Sequence, residues 1–234
     1  MRFVRWLFAP SFVLIFIPFA VAPKVEGAFL TFDNRAAFSA AIPPGSITQV
    51  TTFESLGAGT TIPDGTTIGG VTYTFTPLVT GDQLQIASGL DTTSGANFLG
   101  TDVDGNFNQI TAGDLIDFTF DRPYNAFGFY FISADLIFPG DLLLVTAEGT
   151  ASNSAIPEQT FTDGGLAYFI GFHSDVPVLS VALSYGPDAP AGSFFYIIDD
   201  VTVSVVPEPS SLALFGLGLS ILGFGGRRLR RHGR

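Results

Sequence analysis

The chain has 234 residues, no cysteine, 47% hydrophobic and 13% charged residues, and a formal net charge of −11. The missing cysteines exclude a lipid-modified N-terminal cysteine and leave stability to packing or to a bound ion. The acidity is concentrated in residues 28–205, where Arg35 and Arg122 are the only cations against 19 carboxylates, a net charge of −17. That excludes nucleic-acid binding, which needs clustered Lys and Arg. Calcium and neutral polysaccharide suit such a surface, and so does acidity kept for solubility alone.

The first predicted element is a secretory signal peptide. Arg2 and Arg5 precede an uncharged apolar run, and Val25 and Gly27 stand at minus three and minus one of a cut after Gly27. A single short helix follows, where Asp33 is expected to cap the alanine-rich stretch "NRAAFSAA". From there the pattern has period two. Val71, Tyr73 and Phe75 share a face, as do Ile116, Phe118 and Phe120, then Phe127, Phe129 and Phe131. Val181, Leu183 and Tyr185 repeat the pattern, and Val201, Val203 and Val205 close it. Turn signals separate these runs, among them Pro63–Gly65, Pro139–Asp141 and Asp163–Gly165. Eight to ten short strands, each with one polar face, predict an all-β, antiparallel sandwich of jelly-roll type as one domain over residues 28–205.

The chain's last segment, residues 206–234, has three parts in order. Pro207-Glu208-Pro209 forms a stiff neck, Ser210–Gly226 is an uncharged 17-residue stretch, and Arg227, Arg228, Arg230, Arg231 and Arg234 follow. As a helix the apolar stretch would measure roughly 26 Å, short but credible against a hydrocarbon core of about 30 Å. The arginines place its C-terminus in the cytoplasm. Together these parts resemble the PEP-CTERM sorting signal. The resemblance implies an exosortase as partner, removal of the tail near Pro207–Ser210, transient anchoring in the membrane, and delivery to the surface of a bacterium that makes exopolysaccharide.

Within the domain, "FYIIDDV" places Asp199 and Asp200 at the start of the final strand, and "TFE" ends at Glu54. These two short motifs resemble galactose-binding-like and carbohydrate-binding sandwiches, in which an early glutamate and a late aspartate share a structural calcium. Glu54, Asp199 and Asp200 are therefore the candidate calcium ligands. Calcium takes roughly six to eight oxygens, so carbonyls would have to complete the shell; carboxylates exposed at a strand edge are the other reading. "TDVDGN" holds Asp102, Asp104 and Asn106 at EF-hand spacing, but Phe107 stands where glycine is needed, so it reads as a turn. Tyr130, Tyr168 and Tyr196 are the candidate sugar-stacking rings. No nucleophile motif is found, and adjacent His173, Ser174 and Asp175 cannot form a triad because neighbours in a strand point to opposite faces. The expectation is no enzyme. Two roles remain open, a structural or adhesive surface protein and a calcium-stabilised carbohydrate-binding module, with an extracellular hydrolase least favoured.

Overall fold

The computed structural model describes residues 27–102 and 108–207. The expected signal peptide, apart from Gly27, lies outside them, as do Asp104, Asn106, and the tail from Glu208 onward. In chain order the elements are β1 (Phe29–Phe32), α1 (Arg35–Ala41), β2 (Ile47–Thr51), β3 (Thr61–Ile62), β4 (Thr66–Ile68), β5 (Val71–Thr76), β6 (Leu84–Ser88) and β7 (Asn97–Thr101). Then follow β8 (Ile110–Thr111), β9 (Leu115–Ser133), β10 (Leu142–Val145), β11 (Thr150–Ser152), β12 (Gln159–Thr160), β13 (Leu166–Tyr185) and β14 (Phe195–Val205). Every pairing between these strands is antiparallel. The expected all-β antiparallel class with one short helix is what the chain adopts.

The architecture rests on two long strands. β9 and β13 contain 19 and 20 residues and pair with each other along most of that length. The first half of β9 pairs with β5, and its second half pairs with β14. Likewise β13 takes β1 early and β10 late. Both strands turn from one layer into the other between these halves. Pro123 in β9 and Pro177 in β13 stand at the turn, where the ladder loses register between His173 and Val178. A proline supplies no ladder donor, so it belongs at such a break.

Because the strands fold over, the period-two faces meet. Phe118 from the first half of β9 lies 5.0 Å from Phe127 and 5.8 Å from Phe129 of the second half, centroid to centroid. Tyr73 of β5 packs edge-on against Phe118 at 5.6 Å. All five expected faces point into this core, with Tyr185 and Val205 only partly covered at its margin. The strand count exceeds the expected eight to ten because β3, β4, β8, β11 and β12 hold two or three residues each. Pieces that short carry no readable alternation.

Two local expectations are corrected. The helix is capped by Asn34 and not by Asp33: Asn34 is extended (φ −138°), and its side chain accepts from the Ala37 N–H at 2.9 Å. That bond needs the cap three residues before its donor, which fits Asn34 and leaves Asp33 one position too early. The second face of "FGFYF" is also not polar. Ala126 is buried with Phe38 of α1 and Phe169, and Gly128 sits opposite Gly171. A Cβ on Gly128 would meet the Phe169 ring at 2.7 Å, so the ring's seat on the sheet requires glycine there.

The acidic residues have structural work. Asp64 accepts from the Phe75 N–H, Asp102 from Gln83, Asp135 from Phe195, and Asp141 from Phe138. Asp114 takes the N–H groups of Leu78 and Thr111, and Asp163 those of Asp91 and Gly165. Carboxylates satisfy loop donors that no strand would pair. Much of the net charge is thereby explained by turns.

Candidate functional site

Asp199 and Asp200 lie in the middle of β14, where the pairing with β9 shifts register between Asp199 and Thr202. The expectation that they open the strand is corrected: the strand begins at Phe195, and the pair forms its bulge. Asp200 adopts φ 53°, a left-handed conformation that Asp tolerates better than most side chains. Next to it Asp199 is fully buried. Its Oδ2 lies 2.8 Å from the Thr93 hydroxyl and accepts from the Ser94 N–H at 2.9 Å, and its Oδ1 accepts from the Asp200 N–H at 2.8 Å. Ser94 Oγ lies 3.1 and 3.2 Å from the two oxygens.

Glu54 holds the far side of the same loop. Its Oε1 accepts from the N–H groups of Ala96 and Asn97 at 2.8 and 2.7 Å. Gly95, between the two clamps, has φ 74°, and a Cβ there would collide with the Glu54 carboxylate. The three candidate ligands thus converge on one segment, Thr93–Asn97, which they fasten from two sides.

Thr93 Oγ1 also lies 2.9 Å from Asp200 Oδ2. A hydroxyl has one proton and cannot donate to both carboxylates. Below about pH 6 a proton on Asp199 Oδ2 completes the chain, donating to Thr93 Oγ1, which then donates to Asp200; above it Thr93 serves one carboxylate at a time. Burial, with the charge of Asp200 added, pushes the Asp199 carboxyl up to about 6 against the loop donors that favour its ionised form.

This donor set does not fit a calcium centre built from all three carboxylates. No three acidic or histidine side chains among the described residues form a metal-holding group. Where the resemblance implied a cation, the structure places peptide N–H groups aimed at the carboxylates, and such donors repel a cation. The melting temperature of the protein is expected to stay within about 1 °C between millimolar calcium and excess chelator, because a ligand that binds only the folded state would raise it. A calcium-dependent rise of several degrees would restore the metal reading.

Two of the three candidate sugar-stacking rings are corrected. Tyr168 and Tyr196 are 2% and 0% exposed, facing the core because they fall on the Ile170–Phe172 and Ile198 sides of their strands. Tyr168 stacks on Phe131 at 5.1 Å, and Tyr196 exchanges a 2.8 Å hydrogen bond with Tyr185. Tyr130 is half-buried on the opposite face, as expected from its phase. Its hydroxyl donates to Glu158 at 2.6 Å, and Glu158 also accepts from the Arg35 N–H at 2.7 Å. The Arg35 guanidinium lies over the Phe38 and Phe169 rings and donates to Thr202. His173 is buried, and its Nε2 has no hydrogen-bond partner. Its neighbours Ser174 and Asp175 are engaged elsewhere, with the N–H groups of Val176 and Ala28.

One ring was missed. Phe138 is 63% exposed, beside Leu136 at 77% and Ile156 at 76%. Its carbonyl accepts from Asn153 Nδ2, and Asn153, Pro139, Ile156 and Thr31 line an adjoining groove of about 580 Å³. The signal was its place beside the turn Pro139–Asp141, outside any alternating run.

The last described residues leave the domain at the end of β14, where the Val206 N–H donates to Asn125 Oδ1 at 3.0 Å. The model of the PEP-CTERM protein-sorting motif matches residues 205–231. The chain carries a PEP-CTERM sorting motif. That motif implies export and processing by an exosortase, with the product at the cell surface or outside the cell. Immediately before the PEP-CTERM tail stands a strand that four others pair with, so the tail is joined to the fold without a spacer. No curated protein matches the chain. Among solved structures it is similar to the K2 cleaved adhesin domain of Lys-gingipain, at 13% identity and a TM-score of 0.42, covering 67% of this chain and 99% of that one.

Proposed function

We propose that the chain is a non-enzymatic surface protein with a structural or adhesive role in association with exopolysaccharide. The observation that carries this reading is the junction itself, a sorting motif that begins at the final residue of a closed sandwich. In support, its carboxylates are committed to loop N–H groups, which leaves them poorly placed for acid–base chemistry.

Neutral polysaccharide suits a surface with this charge, and flat exposed rings are the means by which sandwiches hold sugars. Phe138 with its groove, and the half-buried Tyr130, are the rings available. The test uses the mature protein recovered from the surface of its own cells. Retention on the host's exopolysaccharide is expected, and Phe138→Ala is expected to reduce it about ten-fold, with Tyr130→Ala having the smaller effect. Equal retention of Phe138→Ala and the parent would move the contact elsewhere. No retention of the parent would sink the polysaccharide association and leave a structural role.

A further inference from the structure

The two ends of the described chain leave the sandwich side by side. Ala28 exchanges hydrogen bonds with Asp175, its N–H donating to Oδ2 and its carbonyl accepting from the Asp175 N–H. One residue away, the Ser174 carbonyl accepts from Asn125 Nδ2 at 3.0 Å, and Asn125 Oδ1 accepts from the Val206 N–H. A single buried carboxamide therefore ties the entering strand's neighbour to the exit point. Asn125 is 6% exposed, between buried Tyr124 and Ala126, and both ends of its amide are used.

The consequence concerns distance. Val206 is pinned, and Pro207 is the next residue. At no more than about 3.6 Å per residue, Glu208 lies within roughly 7 Å of Val206 and Pro209 within roughly 11 Å. An enzyme that encloses Pro207-Glu208-Pro209 must come up against this end of the sandwich. The surface it meets is apolar and proline-bearing: Ile47 is 54% exposed opposite Val205, Val176 is 37% exposed beside the start of β1, and Pro123 and Pro177 are exposed at the turn of the long strands. Arg122 lies next to Asp121 in the chain, and both are exposed, as is Asp175 beside the start of β1. With no excess of positive charge, the end has little attraction for anionic lipid headgroups. A protein partner with an apolar rim fits it better.

We infer that this end of the sandwich is a docking surface for the membrane-embedded enzyme that processes the tail, with Asn125 as the positioning residue that fixes Val206, the point from which the tail leaves, beside it. The inference rests on the sorting reading above. The test follows shortening of the full chain in its own cells by pulse-chase. Eight Gly and Ser residues inserted between Val206 and Pro207 leave motif and fold intact but separate them. The insertion is expected to slow shortening at least ten-fold. Ile47→Ser with Val176→Ser, at an unchanged melting temperature, is expected to slow it several-fold. Shortening of the insertion variant at the parental rate or faster overturns the docking inference alone and leaves lipid as what this end faces. A parent chain that is never shortened overturns the sorting reading instead.

Discussion

Replacing Asp199 with alanine is expected to destabilise the protein by about 3 kcal/mol at pH 5, because it strands the N–H groups of Ser94 and Asp200 in a buried site. The loss should shrink as pH rises. Burial and Asp200 hold the Asp199 carboxyl near 6 in the folded protein, above its ordinary 3.8. A carboxyl raised in this way binds its proton more tightly when folded. Its stabilising contribution is complete below about pH 3.8 and is lost as pH climbs through about 6. The parent should therefore lose on the order of 2 kcal/mol from this residue between pH 4 and pH 8. Asp199→Asn cannot titrate and must set an NH₂ against one of the two backbone donors, so it should cost about 1 to 2 kcal/mol at pH 5 and approach the parent at pH 8. Denaturant unfolding of the three proteins across this range checks it. A gap between parent and Asp199→Asn that widens with pH would contradict the protonated bridge through Thr93.

Phe118→Ala is expected to cost about 4 kcal/mol and lower the melting temperature by about 10 °C. Phe118 is fully buried and touches Tyr73, Phe127 and Phe129, so its ring joins β5 to both halves of β9. Removing it opens a void where the two layers are pressed together, and the aromatic neighbours cannot close it without leaving their strand positions. Thermal unfolding measures the shift. A drop of less than about 3 °C would mean that the layers are not held at this contact.

What was legible in the sequence was the repetition of one face. Val71-Tyr73-Phe75 and Phe127-Phe129-Phe131 announce buried strands because alternation is a local property. The tail was legible for a similar reason, since its three parts are adjacent in the chain. The candidate site was legible only as residue names. That Glu54, Asp199 and Asp200 meet at one loop could be suspected, but their partners are backbone N–H groups of Ser94, Ala96 and Asn97, which have no signature in the sequence. Tyr168 and Tyr196 show the same limit: a tyrosine in a strand has the same spelling whether it faces sugar or core, and only the phase of its neighbours decides. Asn125 could not be read at all, because a carboxamide between a tyrosine and an alanine in a strand becomes meaningful only when Ser174 and Val206 are seen beside it.

The position of β14 also governs when this protein can exist in finished form. It is the last strand among the described residues, yet it lies inside the sheet, between β9 on one side and β2 and β7 on the other. A chain synthesised from its N-terminus has β9 and β13 in hand before Phe195–Val205 is made, and until then the faces meant for β14 stay open. Pairings between such distant segments are slow to close. The final strand and the sorting motif are neighbours in the chain, so the sandwich can close only when the motif is also made. An unfinished domain lacks the Val206–Asn125 bond that fixes where the tail leaves the fold.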